Sequence, residues 1–208
     1  MKHAVLLAAV GSLAIAGSTF ANETRAYTGQ GGLIPGGTGG IQTRFEIFVP
    51  DGGEIKDVKE VLLVGLNQTW AGDLLIVLTH KDTGTSVTLL DRPGQPESLF
   101  GNSDDFAGDY SFQDGFPIIP EGTGAGGATV IAPGTYGPAG AGGAPQSLQA
   151  FVGEDKFGVW TLSITDFDAA DNGSLGGWVL VLNNVPAPGA LALLGVAGLA
   201  ARRRRRSA

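Results

Sequence analysis

From residue 42 onward, apolar and polar positions alternate in short runs. Phe45, Ile47 and Val49 alternate with Arg44, Glu46 and Phe48, a period of two that predicts a half-buried strand. Pro50-Asp51-Gly52-Gly53 then reads as a turn. Further strands are predicted over residues 58–66, at Leu74, Ile76 and Leu78, and over residues 87–90. Another follows where Val159, Thr161, Ser163 and Thr165 alternate with Trp160, Leu162 and Ile164, and the last holds Trp178, Leu180 and Leu182. Residues 148–152 read as a short strand or turn. Residues 28–40 are Gly-rich and read as a loose leader. Residues 92–147, rich in Gly, Pro, Asp and Ser, lose all periodicity. The body contains no convincing amphipathic helix. Many short strands separated by Gly, Pro and Asp turns predict an all-β sandwich. Its expected core is Leu74, Ile76, Trp160, Leu162, Trp178 and Leu180.

The two ends have a different pattern. Met1-Lys2-His3 is basic, residues 4–17 are apolar without charge, and Thr19 and Ala21 are small residues at the spacing a signal peptidase reads. This three-part layout predicts a secretory signal peptide over residues 1–21, with a segment too short to span a bilayer. At the far end, Val185-Pro186-Ala187-Pro188-Gly189 breaks regular structure. An apolar stretch over 190–201 follows, then Arg202, Arg203, Arg204, Arg205 and Arg206. Such a basic block is retained on the cytoplasmic side, which leaves the body outside. The tail over residues 185–208 resembles the PEP-CTERM sorting signal of exported bacterial proteins. Val185, Pro186 and Pro188 stand for its motif, an apolar helix follows, and the arginines close it. Ala187 stands where the name-giving Glu would be. The resemblance implies an exosortase and a signal peptidase as processing partners. It also implies a transient inner-membrane tether and a final location at the cell surface or outside the cell.

Charge sharpens this picture. All 20 acidic residues of the chain lie between the two ends, against only seven basic ones: Arg25, Arg44, Lys56, Lys59, Lys81, Arg92 and Lys156. The body therefore carries a net charge of −13. It should repel nucleic-acid phosphates and attract cations. The chain has no Cys, so thiol chemistry and cysteine zinc sites are excluded and the fold rests on its core alone. The body has a single histidine, His80, in His80-Lys81-Asp82-Thr83-Gly84, which reads as a solvated hairpin tip.

Two blocks carry a second resemblance. The first is Gly72-Asp73-Leu74-Leu75-Ile76-Val77-Leu78 followed by Gly84-Thr85-Ser86-Val87-Thr88-Leu89-Leu90. The second is Gly158-Val159-Trp160-Thr161-Leu162-Ser163-Ile164-Thr165-Asp166 followed by Asp171-Asn172-Gly173-Ser174-Leu175-Gly176-Gly177-Trp178. Together they resemble the P/Homo B domain that follows the protease domain in proprotein convertases. The resemblance implies a jelly-roll-like β-sandwich over residues 41–184, after a leader over 22–40, and it implies a fold rather than proteolysis.

The chemistry expected of such a body lies in its acidic loops. Asp104, Asp105 and Asp109, with Asp114, form one cluster, and Asp166, Asp168 and Asp171 form the other. Hard carboxylate oxygens on flexible loops suit calcium, the one cofactor expected, although the spacing is not that of an EF-hand. The competing reading is that of Asp turns bonded to their own backbone. A lone histidine and scattered carboxylates give no credible catalytic set. The leading expectation is a non-catalytic surface or matrix module that binds extracellular polymer or a surface protein. The alternatives are a secreted hydrolase, a protease-associated accessory module and a structural spacer. Trp70 and Phe100, then Tyr110, Phe112 and Phe116, are the aromatics expected to mark a binding patch.

Overall fold

A computed structural model describes residues 21–122, 129–170 and 172–186. The strands are β1 (Glu23–Pro35), β2 (Ile41–Val49), β3 (Gly53–Gln68), β4 (Leu74–His80), β5 (Ser86–Asp91), β6 (Phe106–Phe112), β7 (Gly134–Tyr136), β8 (Ala139–Gly140), β9 (Ala144–Pro145), β10 (Gly158–Asp166) and β11 (Asn172–Pro186). They form a five-stranded sheet, β1-β11-β3-β6-β7, and a four-stranded sheet, β2-β10-β4-β5, with β8 and β9 as a small pair apart. The all-β sandwich expected from the alternation is the observed architecture. Among the described residues no helix is long and apolar enough to cross a membrane. The signal segment and the C-terminal apolar stretch lie outside the described residues, as do Pro188 and Arg202 to Arg206.

The alternating residues divide between core and surface as the pleat requires. On the four-stranded sheet Phe45, Ile47, Val49, Leu74, Ile76, Leu78, Trp160, Leu162 and Ile164 turn inward and are buried. On the other sheet Val61, Leu63, Leu66, Phe106, Tyr110, Phe112, Trp178, Leu180 and Leu182 meet them. Each large apolar side chain buried in this way contributes roughly 1.5–3 kcal/mol. β3 keeps Ile55, Val58 and Val61 facing the core although they are three residues apart. Its register with β11 slips twice, skipping Lys56 and Lys59, so each exposed lysine is the extra residue of a bulge.

The Gly-rich leader is corrected by the structure. Residues 23–35 are not loose but form β1, paired antiparallel along β11 from Glu23↔Asn184 to Pro35↔Asn172. The glycines are what let this strand approach. Gly29 lies opposite Trp178, and a Cβ at Gly29 would stand 2.2 Å from the indole nitrogen of Trp178. A Cβ at Gly31 would stand 2.0 Å from the carbonyl oxygen of Leu175. The unperiodic stretch 92–147 also contains structure. β6 pairs with β3, and β7 runs parallel to β6. Residues 148–151 form a short 3₁₀ turn, with Leu148 and Phe151 buried. Val185 and Pro186, where the expected sorting motif begins, are the last two residues of β11, opposite Glu54 and Gly53.

The glycine contact yields a direct prediction. Gly29→Ala overpacks Trp178 and should cost about 1–3 kcal/mol of stability, while Thr28→Ala, on an exposed neighbour, should leave stability nearly unchanged. Chemical denaturation followed by tryptophan fluorescence measures both. Equal midpoints for the two variants would show that β1 does not rest on Trp178.

Candidate functional site

Two groups of polar side chains stand out, one turned into the fold and one turned out of it. The inward group is built on Glu154-Asp155-Lys156, the segment that leads into β10. Its backbone pairs with the start of β3. Ile55 N donates to the Glu154 carbonyl at 2.8 Å, and Lys156 N donates to the Gly53 carbonyl at 2.9 Å. The three side chains then diverge. Glu154 reaches the β4–β5 hairpin, where its Oε2 accepts from Thr83 Oγ1 at 2.9 Å and faces His80 Nδ1 at 2.9 Å. Its Oε1 accepts from Thr85. Asp155 Oδ1 accepts from Gly53 N at 2.9 Å and Phe157 N at 3.1 Å. Lys156, fully buried, donates to Asp51 Oδ2 at 2.5 Å and to Tyr27 Oη at 2.6 Å.

His80 is corrected by this arrangement. It is not a solvated tip residue but 0% exposed, stacked on Trp160 with ring centroids 4.4 Å apart. Nε2 lies 3.1 Å from the Phe157 carbonyl and Nδ1 faces the Glu154 carboxylate. Thr83 Oγ1 lies 3.2 Å from the same Nδ1. Neither nitrogen points to a surface where a substrate could meet it. Burial alone would raise the Glu154 carboxyl, but hydrogen bonds from Thr85, His80 and Thr83 outweigh it and hold the group below its ordinary 4.5. Asp51 behaves alike: burial opposes its charge, and the hydrogen bond and charge of Lys156, with Arg25 nearby, hold it below its ordinary 3.8.

The outward group lies on the outer face of the four-stranded sheet. Here β10 presents short side chains, Thr161 and Ser163, while its neighbours present long ones: Gln42, Arg44 and Glu46 from β2, and Lys81 just beyond β4. With Val77 and Thr79 these residues line a concavity of about 510 Å³. It arises because the middle strand is low and the flanks are high. Lys81 Nζ pairs with Glu46 at 3.1 Å across β10. Arg44, opposite Ser163 in the ladder, has no carboxylate within ion-pair distance among the described residues.

The acidic residues expected to hold calcium are placed apart in function. Asp104 Oδ1 accepts from Thr129 N and Oγ1 at 3.2 and 2.6 Å. Asp105 Oδ1 accepts from Trp70 N at 3.2 Å, and Asp109 Oδ1 accepts from Gly65 N at 2.7 Å, at the β3 bulge. Asp114 accepts from Ser147 Oγ and Leu148 N. Asp166 accepts from Gln68 Nε2 at 2.9 Å and from Asp168 N, and Asp168 accepts from Ala170 N. Asp171 lies outside the described residues. Among the described residues no three His, Asp or Glu groups are disposed to hold a metal. Asp166 and Asp168 accept from backbone N–H groups two residues on, as in an Asp turn, whereas Asp104, Asp105, Asp109 and Asp114 accept from donors distant in sequence.

The expected aromatics also divide. Tyr110 and Phe112 are buried in the core, while Phe100 and Phe116 are 61% and 48% exposed. Trp70, held at a positive φ of 65°, donates its indole N–H to the Phe100 carbonyl. The alternation gave no hint of the Glu154-Asp155-Lys156 segment. Its signal was available: one of only seven body cations, flanked by two acids between Gly153 and Gly158.

No protein-family model matches the chain, and no curated protein matches it. Among solved structures it is similar to the Aeromonas sobria serine protease in complex with its chaperone. The identity is 16% and the TM-score 0.38, over 79% of this chain and 28% of that one. The same protease alone is similar at 16% identity and a TM-score of 0.36, over 78% of this chain and 27% of that one. The chain spans less than a third of the length of those proteins. What the fold itself establishes is a β-sandwich.

The inward network predicts a pH dependence. Glu154 has a lowered folded-state pKa, so its contribution is full above the unfolded value near 4.5 and is lost as pH falls through the folded value. Glu154→Gln should cost about 1–3 kcal/mol near neutral pH. The gap from the unaltered chain should narrow as the solution is acidified below the ordinary carboxylate range. Urea unfolding at a series of pH values, read on tryptophan fluorescence, measures this. A gap independent of pH would mean that the Glu154 charge does not support the fold.

Proposed function

We propose that this is an exported, non-catalytic module of the bacterial cell surface or extracellular matrix, a P/Homo B-like sandwich carried on a PEP-CTERM-like tail. It works by binding. The observation that carries the reading is the direction in which the polar groups face. The groups best suited to acid–base chemistry, His80 and Glu154, are turned inward and spend their hydrogen bonds on the fold. Gln42, Arg44, Glu46 and Lys81 stand outward on the rigid face of one sheet, where a large ligand can reach them. A rigid sheet is a good platform for such a contact.

The ends of the chain support the export half of the reading. A cut after Ala21 leaves β1 to begin two residues later, at Glu23. The sorting motif begins as β11 ends, so an exosortase acting beyond Pro186 would remove the tail and leave the sheets whole. In this reading the signal peptidase and the exosortase are transient partners, the apolar tail is a temporary inner-membrane tether, and extracellular polymer or a surface protein is the lasting partner.

Intact mass of the protein recovered from its bacterial host, with envelope and medium compared, tests the proposal. The expected product has lost both ends, near Ala21 and near Pro188, and is found at the surface or in the medium. A product that keeps its arginines in the inner membrane, or one found in the cytoplasm, overturns it.

A further inference from the structure

We infer that the groove on the outer face of the four-stranded sheet binds a polysaccharide bearing carboxylate groups, with Arg44 as the residue that pairs with the carboxylate. The inference rests on the polymer-binding reading above and adds to it a site and a ligand class.

Three observations lead to it. The first is local charge. On a body of net charge −13, this groove holds two cations, Arg44 and Lys81, and one acid, Glu46. Lys81 and Glu46 neutralise each other, which leaves the Arg44 guanidinium exposed and without an acidic partner among the described residues. An unpaired guanidinium offers a planar fork of donors that matches a carboxylate in two parallel hydrogen bonds.

The second observation is the character of the remaining lining. Gln42, Thr79, Thr161 and Ser163 supply an amide and three hydroxyls, groups that both donate and accept, as sugar hydroxyls do. Thr161 is 3% exposed, and its Oγ1 has no hydrogen-bond partner. It lies opposite Glu46 in the ladder, on the strand that the Glu46–Lys81 bridge crosses. A ligand that draws this bridge apart would uncover the hydroxyl and satisfy it.

The third observation is what the groove lacks. It has no aromatic side chain, and Val77 is the one apolar residue lining it. Protein-binding surfaces concentrate aromatic anchors, so an acidic protein segment is the poorer match. The groove's lining on β2 runs from Gln42 to Glu46, about 13 Å at the rise of a β-strand. That suits a stretch of extended chain rather than a single small molecule.

Calorimetric titration of the full chain at about 0.15 M salt, where repulsion between the acidic body and a polyanion is screened beyond about 8 Å, tests this, with three probes: an oligogalacturonate, its methyl ester, and poly-glutamate. The expected result is binding of the oligogalacturonate and at least about ten-fold weaker binding of the ester. Arg44→Gln should lose about ten-fold for the acid and nothing for the ester. Arg44→Lys, which keeps the charge but not the fork, should fall between. Arg44 is exposed, so unchanged thermal unfolding of both variants confirms that they are folded. The inference is overturned if the oligogalacturonate does not bind, if the ester binds as well as the acid, if Arg44→Gln binds as the unaltered chain does, or if poly-glutamate binds more tightly than the sugar acid. The localisation experiment is independent of this one. An exported chain whose groove takes no polyuronate refutes the groove alone, and a chain that binds polyuronate but stays in the cytoplasm refutes the surface reading alone.

Discussion

The closed end of this sandwich depends on one electrostatic requirement: a lysine with no access to water must have its charge met. Lys156 is fully buried, and Asp51 and Tyr27 meet it. An unpaired ammonium there would be costly enough to unfold the region. Satisfying it fixes the β2–β3 turn through Asp51 and fixes β1 through Tyr27. The same segment fixes the rest of that end. Glu154 gathers Thr83, Thr85 and His80 from the second sheet, Asp155 holds the backbone of Gly53, and the Lys156 carbonyl accepts from the indole of Trp160. Three consecutive charged residues therefore join both sheets, and the core tryptophan of β10 is seated by the backbone that carries them.

This clasp also explains why a domain without cysteine can hold its edges. Apolar packing between the sheets is strong but non-directional, and it does not by itself fix how the ends of the sheets meet. Buried, paired charges have definite geometry. His80 has the same directional pairing: its ring is stacked on Trp160 and its two nitrogens face a carboxylate and a carbonyl. The surface face of the same sheet is organised by a different rule. There short residues on β10 between long ones on β2 and beyond β4 leave a trough, and the pairing of Lys81 with Glu46 leaves Arg44 as the unbalanced charge.

The sequence made the four-stranded sheet legible because large apolar residues recur with a period of two at Phe45, Ile47 and Val49, at Leu74, Ile76 and Leu78, and at Trp160, Leu162 and Ile164; His80 and Asp166, inward at the strand ends, depart from that pattern. Trp160 and Trp178 could be placed in the core on size and spacing alone. β1 was hidden because glycines carry no hydrophobic signal. Their role is to leave room for Trp178 and for the backbone at Leu175, and absence of a side chain leaves no mark on an alternation pattern. β6 was hidden because Gly108 and Asp109 interrupt it, and both belong to the bulge where Asp109 caps Gly65. The acidic clusters gave no sign in the sequence of the backbone N–H group that each described carboxylate accepts from. His80 and the clasp escaped notice because pairing between residues some seventy positions apart is not written in local pattern.

One more consequence follows from the pairing of β1 with β11. Among the described residues, the first strand of the sandwich has the last strand as its only neighbour in the sheet. Contacts that join opposite ends of a chain close the longest possible loop and form late. In the export proposed above, the leading strand therefore has nothing to pair with until the trailing one has followed. The topology would keep the sandwich unfinished, and hence passable through a narrow channel, until β11 has crossed.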